Sequence, residues 1–106
     1  MATSLAEIAL FTEDVERLVE FYGRVLGRAP DSKWPGGATF DLGGVTLLIH
    51  VALPQEAGAP ANRDHFALRV SDVGAEAARL GTEAREYDWG RSAYLSDPDG
   101  RMIELQ

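Results

Sequence analysis

The chain has 106 residues, enough for one domain with its own core and too few for two independent ones. Its net charge of -7 argues against nucleic acid or an anionic membrane as partner, because phosphate recognition needs a basic stripe. It has no cysteine, which excludes disulfides and thiolate metal sites, and neither a basic, apolar leader nor a run near the about 18 apolar residues of a membrane span, so a cytoplasmic location is expected.

A first strand is read around Glu7 to Phe11. Period-two alternation turns Ile8 and Leu10 towards a helix and Glu7, Ala9 and Phe11 to the opposite face. The helix follows in VERLVEFYGRVLG, where Val15, Leu18, Val19, Tyr22, Val25 and Leu26 recur at helical spacing. Asp14 suits its N-cap, Glu16 its first turn and Gly27 its stop, and Tyr22 on the stripe is expected in the core. Three strands are expected near residues 31–35, 38–42 and 45–52, before a linker at 53–63, LPQEAGAPANR, rich in proline and without periodicity. The next strand starts at His65, with Phe66, Leu68 and Val70 on the helix side and His65, Ala67 and Arg69 opposite. A shorter helix carries Val73, Ala77 and Leu80 and stops at Gly81, and three more strands are expected near 84–89, 91–96 and 101–106. Asp97 and Asp99 belong to a DPDG turn, with proline and glycine where a type I turn prefers them.

The two halves are copies of one unit. Ala9, Leu10, Asp14 and Val15 match Ala67, Leu68, Asp72 and Val73, and each match leads into a helix and three strands. The expectation is an α+β fold of one domain, 1–106, with module one at 1–52, the linker at 53–63 and module two at 64–106. Glu7 and His65 occupy equivalent positions. Four residues after the turn glycines Gly44 and Gly100 stand Leu48 and Glu104, so the four matched positions are Glu7, Leu48, His65 and Glu104.

These segments carry a resemblance. EIALFTEDV with FY and LG (7–27), DHFALRVSDV (64–73) and DPDGRMIEL (97–105) resemble the vicinal oxygen chelate superfamily, which includes glyoxalase I, bleomycin-resistance proteins and extradiol dioxygenases. The resemblance covers essentially the whole chain and implies two βαβββ modules forming a U-shaped mixed sheet around a cleft. It also implies that metal ligands, where present, come from the first and last strands of each module, here Glu7, Leu48, His65 and Glu104. Leucine cannot ligate, so the set reduces to Glu7, His65 and Glu104, whose oxygens and imidazole suit divalent Fe, Mn, Ni, Co or Zn. His50 shares the face of Leu48 two residues further on, as a possible fourth ligand or a substrate contact. The bland alternative for each is a solvated residue on an ordinary sheet face. For Glu7, apolar neighbours predict a raised pKa unless a cation compensates it.

The run YDWGRSAY adds a polar and aromatic cluster, Tyr87, Trp89, Arg91 and Tyr94, in which Trp89 and Arg91 are candidate ligand contacts; Trp34 in WPGG is its counterpart in the first half. The leading functional expectation is a glyoxalase-like metal-dependent enzyme, of isomerase or lyase type or a dioxygenase, chelating adjacent oxygens of a small substrate. Glu104 and Glu7 are its candidate proton carriers. The alternative is a metal-free protein that sequesters a drug-like molecule, as bleomycin-resistance proteins do; a regulatory or immunity-like partner is a weaker third. No set of basic residues suggests glutathione. Under the first two readings the resemblance implies a homodimer.

Overall fold

The computed structural model describes residues 3–54, 57, 62–96, 98–99 and 101–106. Each half contributes a strand, a helix and three strands: β1 Ser4–Thr12, α1 Val15–Leu26, β2 Ser32–Trp34, β3 Gly37–Asp41 and β4 Thr46–Val51, then β5 His65–Arg69, α2 Val73–Arg79, β6 Arg85–Tyr87, β7 Gly90–Ser96 and β8 Met102–Leu105. Much of the 53–63 linker and two residues of the DPDG turn lie outside the described residues.

The helices begin and end where local chemistry dictates. The Asp14 carboxylate accepts from the Arg17 amide and the Asp72 carboxylate from the Ala75 amide, satisfying a donor that each first turn leaves open. Gly27 ends α1 in the left-handed conformation, φ 73°, which a side chain would resist. Leu10, Val15, Leu18, Tyr22 and Leu26 pack on a core of Val19, Ala38, Phe40, Leu47 and Ile49. Val25, expected in the stripe, is 63% exposed: it lies at the edge of the helical face, beyond the sheet's reach. A second, smaller core joins Ala77 of α2 to Ala93 and Leu105, with Leu68, Val70, Val73 and Leu95 around it.

The strands form one open eight-stranded sheet in the order β2-β3-β4-β1-β5-β8-β7-β6. The modules meet at the antiparallel pair β1 and β5, while β1 with β4 and β5 with β8 run parallel. The duplication is visible in the register. Glu7 faces Ala67, Ile8 faces Phe66 and Ala9 faces His65, so a pseudo-twofold axis passes between Ile8 and Phe66 and exchanges Glu7 with His65. Leu48 beside Ala9 and Glu104 beside Ala67 complete the exchange.

Helix α1 sits over β3 and β4 and helix α2 over β7. The back of the central pair is therefore left open: Leu5, Ile8 and Phe66, 36–40% exposed, line a shallow apolar groove with Leu10. Ile8 and Phe66, expected beneath a helix, face this groove instead. A bulge between Leu5 and Glu7 inserts Ala6 and brings Leu5 opposite Leu68, on the same side as Ile8. No described helix is long and apolar enough to cross a membrane.

Candidate metal centre

The face of the sheet away from the helices carries the polar side chains. Ala67 stands between Glu7 on β1 and Glu104 on β8, opposite both in register. Two strand spacings separate the glutamates' backbones, roughly 9–10 Å, and the alanine between them is too small to fill the gap. Both long side chains reach over it. His65 lies two residues along β5, about 6–7 Å away, and turns to the same point. One ligand atom each of Glu7, His65 and Glu104 lies within 4.8 Å of the others.

Hydrogen bonds orient the cluster. The His65 Nδ1 is 2.8 Å from the Arg63 carbonyl oxygen, which can only accept, so Nδ1 carries a proton. The other nitrogen, Nε2, lies 3.1 Å from Glu104 Oε1. In neutral imidazole this would set a lone pair against a carboxylate oxygen, an arrangement that needs a proton or a cation between them. The side chains are 6% and 4% exposed, so water cannot readily relieve it. The second Glu104 oxygen accepts from the buried Ser92 hydroxyl at 2.7 Å, and Ser92 in turn accepts from the Trp89 indole nitrogen at 3.1 Å. Tyr94 stands directly across from Glu104 in register.

The electrostatics follow from two carboxylates and one imidazole in a half-buried space. Burial raises the Glu7 pKa first and the Glu104 charge raises it further, against a smaller lowering by His65. Burial alone would lower the His65 pKa, but the hydrogen bonds to Glu104 and the Arg63 carbonyl, with both glutamate charges, leave it raised. Burial pushes the Tyr94 phenol far up, helped by the charges of Glu104, Tyr87 and Glu7, so it keeps its proton. With both carboxylates charged, one imidazolium leaves the group a net negative charge short of neutral. Two oxygens and a nitrogen with its tautomer fixed from behind form a donor set that a divalent cation fits.

The fourth corner is closed by Leu48, half-buried across Ala9 from His65. His50 does not take its place. Its Nδ1 bonds the Val51 carbonyl oxygen at 2.7 Å, and the Phe11 ring stands between the two histidines, 5.1 Å from His50 and 6.0 Å from His65. Among the described residues the converging group has three members.

Arg91 is not brought to this face. Alternation along β7 sends Ser92 and Tyr94 to the glutamate side and Arg91, Ala93 and Leu95 to α2, where the guanidinium lies beside Gly74 and 3.8 Å from Glu86. Tyr87 and Trp89 stay on the site's side, stacked at 4.5 Å with 5° between their planes, and Tyr87 meets Tyr94 edge-on at 5.9 Å. Trp34 opposes Gly37 as Tyr87 opposes Gly90, so its structural counterpart is Tyr87. Ser92 was missed by sequence reasoning. A serine two residues before Tyr94 on a strand gives no signal until the hairpin register is known.

This fold and site define a class: a duplicated βαβββ sheet with side chains able to hold a metal converging on its open face. The chain belongs to the glyoxalase/bleomycin resistance protein/dioxygenase superfamily, whose family model matches residues 4–105. Solved structures agree on the fold. A superfamily member from Vibrio splendidus 12B01 is 18% identical over 98% of this chain and 97% of its own, with a TM-score of 0.71. A protein described as an NAD-dependent benzaldehyde dehydrogenase from Legionella pneumophila is 16% identical over 98% and 96%, also at 0.71. Methylmalonyl-CoA epimerase from Mycobacterium tuberculosis is 20% identical over 99% and 90%, at 0.68. No curated protein matches the chain by sequence.

Proposed function

We propose that the chain is a small divalent-metal-dependent enzyme of isomerase or lyase type, with Glu7, His65 and Glu104 holding the metal. The observation that carries this reading is the convergence of their three ligand atoms within 4.8 Å. Fe, Mn, Ni, Co and Zn all suit one imidazole and two carboxylates. A metal in this position supplies Lewis-acid polarisation of adjacent oxygens on a small substrate.

The chain's own residues divide the remaining work. Glu104 is tied by the Ser92 hydroxyl and acts as the fixed ligand. Glu7 makes no side-chain hydrogen bond among the described residues, and its pKa, raised by burial and by the Glu104 charge, suits a carboxylate that takes up a proton more readily than a free one. Glu7 is therefore the proton carrier. Tyr94, kept protonated, can donate to a developing negative charge on the substrate. Proton transfer at a carbon beside a polarised oxygen, rather than dioxygenation, is the chemistry this division favours. A homodimer in the cytoplasm, acting on a small molecule, completes the reading; the open apolar groove at Leu5, Ile8 and Phe66 supports self-association.

A second reading, a metal-free binding protein, is favoured by the Trp89–Tyr87 stack, because Trp89 is 64% exposed and offers a flat face to a planar ligand. Elemental analysis of protein purified without chelator separates the two. Near-stoichiometric metal, lost in His65→Ala and in Glu104→Gln, is expected. Protein that stays metal-free after incubation with Mn, Fe, Ni, Co and Zn in turn leaves only the binding reading.

A further inference from the structure

One polar chain links the rim of the site to its interior. The Trp89 indole N–H donates to Ser92 Oγ at 3.1 Å, and Ser92 donates to Glu104 Oε2 at 2.7 Å. The direction is fixed by the ends. An indole nitrogen only donates, so the Ser92 oxygen accepts there and its single proton goes to Glu104. That leaves Oε1, the oxygen 3.1 Å from His65 Nε2, as the one directed into the cluster. Ser92 is fully buried, so no water competes for Oε2, whereas Trp89 is 64% exposed and held at the rim by its stack on Tyr87.

We propose that Ser92 and Trp89 are positioning residues for Glu104: the indole orients the serine hydroxyl, and the hydroxyl fixes which carboxylate oxygen faces the metal. This rests on the metal-holding reading above and adds a consequence. The rim tryptophan, which touches no ligand atom of the cluster, sets how well the cluster binds, and an event at the indole is felt at Glu104. Bonds of this kind, made to a metal ligand from behind, typically change affinity 10- to 100-fold when removed.

Two measurements test it on the full chain. The first needs no metal. In 15N-labelled, chelator-treated protein the Trp89 indole resonance is assigned with Trp34→Phe, the protein having two tryptophans. Glu104→Gln is expected to move that resonance, although Trp89 does not contact Glu104, and the same substitution made in Ser92→Ala is expected not to move it. A resonance indifferent to Glu104→Gln, or one that moves equally with and without Ser92, overturns the relay. The second measurement is Zn(II) titration by calorimetry. Ser92→Ala is expected to weaken binding about 10- to 100-fold, and Trp89→Phe, which keeps the ring stack and loses only the donor, to weaken it in the same direction. Equal affinity in all three proteins refutes the proposal. If Ser92→Ala fails to fold, Trp89→Phe at its exposed position decides the calorimetric arm, and the response of the Trp89 resonance to Glu104→Gln decides the first. If the unaltered chain binds none of Zn, Mn, Fe, Ni and Co, the metal-holding reading fails while the resonance coupling still decides the relay; if it binds one of the others, the same titration is made with that metal.

Discussion

Replacing Glu7 by glutamine removes one of two carboxylates that share a half-buried space, and the sign of its effect depends on pH and on metal. The ligand atoms of Glu7 and Glu104 are at most 4.8 Å apart. Two unit charges at that distance repel by about 3.5 kcal/mol at an effective dielectric constant near 20. His65 opposes part of this and Glu7 is partly exposed, so screening reduces the relief available to about 1–2 kcal/mol. Glu7 has a folded-state pKa raised above 4.5, so the folded protein holds a proton that the unfolded chain has released, and stability falls as pH rises through that window. His65, raised above 6.5, contributes stability that is present below 6.5 and lost as pH rises through its folded pKa, where the carboxylates also lose their compensating charge. Urea unfolding in chelator should therefore find Glu7→Gln more stable than the unaltered chain by about 1–2 kcal/mol at pH 8, with the difference vanishing towards pH 4.5. Saturating Zn(II) should reverse the order, because the carboxylate then has a partner that the amide cannot match. Metal-free Glu7→Gln that is less stable at pH 8 would refute the electrostatic reasoning, since Glu7 would then be making a favourable contact.

Two other substitutions probe the geometry. His50→Ala should leave metal stoichiometry and affinity within about twofold of the unaltered chain, since Phe11 separates His50 from the cluster; loss of metal in calorimetry would return His50 to the ligand set. Ala67→Leu should fill the gap over which Glu7 and Glu104 converge, abolishing metal binding while costing about 1–3 kcal/mol in urea unfolding, as overpacking of a buried site does. Retained binding in that variant would mean that the glutamates do not meet over Ala67.

Much of this arrangement was readable before the coordinates, and for physical reasons. Helix caps are local chemistry, so Asp14 and Gly27 can be placed from their neighbours alone. Period two is also local, and with the duplication it put Glu7, Leu48, His65 and Glu104 in register. The misplacements came where the outcome depended on longer range. Which strands a helix covers is decided by helix length and loop geometry, so Ile8 and Phe66 remained open. Arg91 was grouped with its aromatic neighbours by proximity in sequence, though the alternation of Ala93 and Leu95 already put it on the helix side. Ser92 becomes significant only through a contact 12 residues away in another strand.

The duplication explains why the site is where it is, and its imperfection explains what the site can be. A perfect twofold would put identical residues at Glu7 and His65, and again at Leu48 and Glu104. The chain breaks both identities. Histidine in place of a second glutamate at position 65 lowers the negative charge that must be held in the half-buried space and supplies a donor whose tautomer the Arg63 carbonyl fixes. Leucine at position 48 removes the fourth donor and sets an apolar wall on the side of module one, while Tyr94, Ser92 and the aromatic stack line the side of module two. On the proposed reading, a molecule reaching the three side chains meets Leu48 and Phe11 on one flank and Trp89 and Tyr87 on the other. The two flanks differ in kind, apolar against aromatic and hydrogen-bonding. Under the proposed function, the two unlike flanks would distinguish the two ends of a bound molecule.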